Sequence, residues 1–127
     1  MKQLGTFLIV VAGLILMSGS MLAHHGTRIS YDRENPITLQ GKVSDLFWRN
    51  PHVSIFVDVT DANGKVVTWA LEAGPLRSFA RRGITRSMLA KGQEVTFIAF
   101  PSKAGAPVGQ LDQIRLRDGT STSVDFD

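Results

Sequence analysis

The chain has 127 residues, 14 Lys and Arg against 11 Asp and Glu, and no cysteine. A formal charge of +3 is too slight to argue for a nucleic-acid partner. The absence of cysteine excludes a disulfide framework, a thiolate metal site and a lipid attachment point on sulfur.

Lys2 opens the chain with a short positive region. An apolar run, Phe7 to Met17, follows with one glycine and no charge. Small residues Ser18, Gly19 and Ser20 precede Met21-Leu22-Ala23. This is the pattern of a secretory signal, and the run is short for a spanning helix, which needs about 20 apolar residues. We expect a signal peptide over residues 1–23, cleaved after Ala23, with cleavage after Ser20 as the alternative. The expected protein is exported to the periplasm and has no stable membrane insertion after cleavage. Residues 24–36 read as a leader: His24-His25-Gly26-Thr27, then a polar, turn-like stretch from Tyr31 to Pro36.

The domain is expected over residues 37–118. Ile37, Leu39 and Val43 begin a strand with Gly41 inside it, where a bend or bulge fits. Phe47 continues the odd-numbered set, whereas Leu46 and Trp48 fall on the other phase. Asn50-Pro51 ends the strand. Next, Val53, Ile55, Val57 and Val59 alternate with polar or aromatic residues. After a turn, Val67, Trp69 and Leu71 do the same. The Asp61-Ala62-Asn63-Gly64-Lys65 connection admits two registers. A two-residue loop would mix the faces. A three-residue loop with Gly64 left-handed pairs Val59 with Val67, Val57 with Trp69 and Ile55 with Leu71. One slip exchanges the faces, so the core selects the second register.

Gly74-Pro75 ends that strand. Leu76, Phe79 and Ala80 then recur at helical spacing up to Gly83, and a second short turn runs from Thr85, a capping candidate, to Ala90. A fourth strand carries Val95, Phe97 and Ala99. A fifth, near Gly109 to Arg117, carries Ile114 and Leu116. Residues 119–127 read as a flexible tail. Strand, strand, strand, short helix, strand, strand predicts an all-β domain with a short helix: a small five-stranded antiparallel barrel of the oligonucleotide/oligosaccharide-binding (OB) kind. The alternative is an open antiparallel sheet with one covering helix.

Several segments resemble a family of small exported bacterial proteins known only as a domain of unknown function. They are His24-His25, Leu46-Phe47-Trp48-Arg49-Asn50-Pro51-His52, Val67-Thr68-Trp69, Leu71-Glu72, Gly74, Arg81-Arg82-Gly83-Ile84-Thr85 and Lys91-Gly92-Gln93-Glu94-Val95. The resemblance spans the mature chain and implies no activity. The family's usual start has Ser-Phe after the two histidines, where this chain has Gly26-Thr27.

Cleavage after Ala23 would leave His24 with a free α-amine. Amine and ring of one such residue can chelate a single ion, and His25 or His52 can add a nitrogen. Glu72, expected on the same hairpin face as His52, can bind the ion or orient the ring. Nitrogen donors without thiolate suit Cu(II). The blander reading is a histidine pair in the leader and a structural His52 beside a turn. Trp48 and Phe56 could line a groove on the sheet, or pack under the helix or leader. Arg77, Arg81, Arg82 and Arg86 form a basic cluster for an anionic partner, or a solvated outer face. No serine sits in a nucleophile elbow, so a non-enzymatic protein is expected. It is either a copper-binding protein or a metal-free module that takes a periplasmic protein or glycan on its sheet face.

Overall fold

The structure, a computed structural model, describes residues 30–124. The expected signal peptide, His24 and His25 lie outside the described residues. The strands are β1 (Ile37–Phe47), β2 (Ser54–Thr60), β3 (Val66–Glu72), β4 (Glu94–Pro101), β5 (Val108–Arg115) and β6 (Ser121–Ser123). One helix, α1 (Leu76–Arg81), and a 3-10 turn at Arg86–Leu89 join β3 to β4.

The β2–β3 hairpin has the register that buries one apolar set. Val59 faces Val67, Val57 faces Trp69, Ile55 faces Leu71 and Ser54 faces Glu72. Asp61 N donates to Lys65 O at 2.8 Å, which closes the loop. Gly64 sits at φ 78°, where a β-carbon is disfavoured. The Asp61 carboxylate accepts from the backbone N–H of Asn63 and Lys65, which fixes the turn from within.

β1 pairs with two strands. Its first half pairs with β4, from Ile37↔Ala99 to Lys42↔Glu94, and its second half with β2, from Lys42↔Asp58 to Phe47↔Ser54. At the crossover a β-carbon on Gly41 would fall 2.1 Å from the Asp58 carbonyl oxygen, so only glycine lets the strands come this close. The register shifts between Val43 and Asp45. This bulge changes which parity points inward. Leu39 and Val43 face the core before it; Leu46 and Trp48 pack against the core after it, and Phe47 is 41% exposed. The mixed phases at the end of β1 are therefore one bulged strand.

The sheet order is β3-β2-β1-β4-β5-β6, with β3 also paired to β5. That pairing closes a five-stranded barrel and rules out the open sheet. It also corrects the expected all-antiparallel barrel, because β3 and β5 run parallel through Ala70↔Val108, Leu71↔Gly109 and Glu72↔Gln110. The interior is filled by residues such as Val43, Ile55, Val57, Leu71, Phe97, Leu111 and Ile114. Phe79 of α1 and Leu89 of the 3-10 turn are fully buried in the same core. A helix of six residues is too short to persist alone, so this packing is what holds it.

Two smaller expectations are corrected. Thr85 makes no capping bond; its hydroxyl meets that of Ser87 at 2.9 Å. The chain beyond Asp118 is not a loose tail through Val124. A turn leads into β6, which pairs with β5 through Gln113↔Ser123, Ile114↔Thr122 and Arg115↔Ser121, and Val124 is fully buried. Burial of that one side chain gives the segment a reason to stay in place. No helix among the described residues is long and apolar enough to cross a membrane.

Candidate functional site

His52 follows Asn50-Pro51, whose peptide bond is cis. Beyond it, Val53 is fully buried and ties to the end of β3: Val53 N donates to Gly74 O and Ala73 N to Val53 O. Alternation then puts His52 on the outer face with Ser54 and its partner Glu72. His52 Nδ1 lies 3.2 Å from Glu72 Oε1, with the two side chains 46% and 39% exposed. At that exposure the pair adds less than about 1 kcal/mol. Its consequence is geometric: Glu72 fixes the ring.

The second Glu72 oxygen is also engaged. The Tyr31 hydroxyl donates to Oε2 at 3.1 Å. Tyr31 belongs to a strap laid along the end of β4. Tyr31 bridges Ser102, Asp32 N donates to Pro101 O at 2.8 Å, and Lys103 N donates to Ser30 O at 2.9 Å. Burial, then the Glu72 charge, then the Glu72 hydrogen bond push the Tyr31 hydroxyl from 10.0 up to about 12. Tyr31, Glu72 and His52 thus form one polar chain, a hydrogen bond and then a 3.2 Å contact, that links the strap, β3 and the turn before β2. The 41 positions between Tyr31 and Glu72 hide this partnership from local pattern.

Asn50 anchors the same turn to α1, because its Oδ1 accepts the Leu76 N–H at 3.0 Å. A cleft of about 390 Å³ opens there, lined by Asn50, Pro51, His52, Pro75 and Arg77. A larger one, about 760 Å³, lies elsewhere, where β1 parts from β2 near Lys42, Asp58 and Glu94.

The two aromatic candidates are separated. Trp48 packs edge-on against Phe79, 5.0 Å between centroids, under α1. Phe56 stays outside and meets Phe47 edge-on at 5.3 Å. Arg49 stacks over Phe47 at 5.2 Å. The β1 bulge exchanges Trp48 for Phe47 on the outer face, and the extra residue between Val43 and Leu46 is its sequence signal. The arginines also divide. Arg77 and Arg81 are exposed on α1, whereas Arg82 turns back and donates to Ser78 O at 3.0 Å. The two carboxylates on the outer face of the hairpin have separate partners: Asp58 accepts the Thr68 hydroxyl at 2.7 Å, while Glu72 meets His52 and Tyr31.

Among the described residues, no group of three or more His, Cys, Asp or Glu is placed to hold a metal ion. His52 and Glu72 supply two such side chains. An ion at His52 would bind through Nε2, the nitrogen Glu72 does not engage, with the Glu72 carboxylate orienting the ring from Nδ1.

No curated protein and no solved structure matches the chain. A family model does match it over residues 12–111, and the chain belongs to that family, a family of unknown function designated DUF6152.

Proposed function

We propose that this is an exported, periplasmic, non-enzymatic binding protein that holds Cu(II) between His52 and the processed N-terminus at His24, with His25 as a further nitrogen. The observation that carries the reading is the Tyr31–Glu72–His52 chain. A carboxylate on Nδ1 sets tautomer and ring direction and makes the other nitrogen a better donor. The same carboxylate holds Tyr31, so the chain leading back to the two histidines starts beside His52. His25 is six positions before Tyr31, and that length of extended chain covers about 20 Å. An amine and imidazoles without thiolate favour Cu(II) over the other divalent ions.

The test is Cu(II) titration, by calorimetry and paramagnetic resonance, of protein that begins at His24. One equivalent should bind with nitrogen coordination. His52→Ala and one alanine placed before His24 should each weaken it at least about tenfold. Unchanged affinity in both variants would overturn the composite site.

A second reading is favoured by exposed Phe47, which meets half-buried Phe56 edge-on and has Arg49 over its ring. It is a metal-free module that takes a periplasmic protein or glycan on the outer face of β1 and β2. Phe47→Ala with Phe56→Ala would then abolish partner capture with little loss of stability, and copper would be irrelevant to capture.

A further inference from the structure

We infer that the cleft between the Asn50–His52 turn and α1 takes a small organic carboxylate, with Arg77 and the Asn50 amide as its donors. The inference goes beyond the copper reading and does not depend on it. The lining is one-sided in charge. Arg77 is exposed and has no acidic partner among the described residues, and no aspartate or glutamate lines the cleft. The nearby Glu72 is outside the lining and has one oxygen against His52 and the other under the Tyr31 hydroxyl, so both oxygens are already engaged by local partners.

Asn50 is fixed and directional. Its Oδ1 is occupied by the Leu76 N–H, which leaves Nδ2, a pure donor, on the other arm of the amide. A guanidinium fork beside an amide N–H₂ suits a planar carboxylate. The Pro51 and Pro75 rings supply apolar walls, so the ligand has a carbon body as well as a charge. A space of about 390 Å³ is enough for a few carbons.

The walls are held independently of any ligand. Asn50 binds the first turn of α1, and Val53 is laced to Gly74 and Ala73 across the base. A preformed cleft avoids part of the ordering cost of binding. Arg81, one helical turn beyond Arg77, adds positive potential from outside the lining.

The test is ¹⁵N–¹H resonance titration of metal-free protein with propionate and, separately, with inorganic phosphate. Propionate should shift the Asn50 side-chain amide and the Arg77 Nε–H saturably, with a dissociation constant of about 1–10 mM. Arg77→Gln should remove saturation. Asn50→Asp keeps the acceptor for Leu76 but replaces the donor with a negative charge; it should weaken binding at least about tenfold. Arg81→Gln should leave affinity within about twofold. Dispersed spectra will show that each variant is folded. Non-saturating shifts, equal losses in Arg77→Gln and Arg81→Gln, or phosphate binding as tightly as propionate would each overturn the proposal. Because no metal is present, its failure leaves the copper site standing, and failure of the copper site leaves it untouched.

Discussion

Tyr31 is the only tyrosine in the chain, so its ionisation can be read by phenolate absorbance near 295 nm. The structure holds its hydroxyl at about 12, against 10.0 for an unconstrained tyrosine. At pH 11 the folded protein should therefore show about one-tenth ionisation, where a solvated phenol shows about nine-tenths. Glu72→Gln removes the negative charge beside the hydroxyl and weakens the acceptor but leaves the burial, which is the largest cause. Its midpoint should fall part of the way back toward 10.0. The sign for stability follows. The folded chain keeps the proton longer than the unfolded chain. The strap's contribution is complete below pH 10 and is lost as pH rises through about 12. Circular dichroism recorded alongside will separate ionisation in the folded state from alkaline unfolding. A wild-type midpoint near 10 in folded protein, or no change in Glu72→Gln, would refute the Tyr31–Glu72 bond and the placement of the strap.

Two further comparisons use urea midpoints. Gly41→Ala should cost about 3 kcal/mol, because the new carbon meets the Asp58 backbone and no flexible side chain can give way. Gly64→Ala meets no atom within 4 Å and should cost only the left-handed strain of about 1–2 kcal/mol; the reverse ranking would contradict the strand crossing. Phe79→Ala, at a fully buried ring against Trp48, should cost about 3–5 kcal/mol, and Trp69→Ala, at a half-buried ring, should cost less. Equal losses would contradict the placement of Phe79 as the main contact between α1 and the barrel.

The hairpin register was legible in the sequence because alternation and Gly64 point to the same pairing. The barrel was legible because five strands with one short helix between the third and fourth have few ways to hide an apolar face. The end of β1 was only half legible. Val43 and Leu46 lie an odd number of residues apart, which signals an extra residue, yet the face taken by Trp48 depends on its contact with Phe79 across the fold. The parallel β3–β5 closure leaves no local signature, since it joins segments far apart in the chain. β6 was missed because Ser-Thr-Ser looks like tail, and the buried residue that anchors it, Val124, stands alone. At the site, His52 and Glu72 followed from the register. Tyr31 did not, because its position is set by the strap on β4.

In the proposed copper site His52, oriented by Glu72, supplies one nitrogen to an ion that the processed N-terminus also binds. Pulsed paramagnetic resonance of the Cu(II)-loaded protein beginning at His24 counts coordinated imidazoles through the modulation from their remote nitrogens. The account predicts that His52→Ala lowers that count by one while the amine and N-terminal imidazole signals persist. An unchanged count in His52→Ala would contradict it, because the copper would then be held by the chain end alone and the Tyr31–Glu72–His52 chain would have no part in binding.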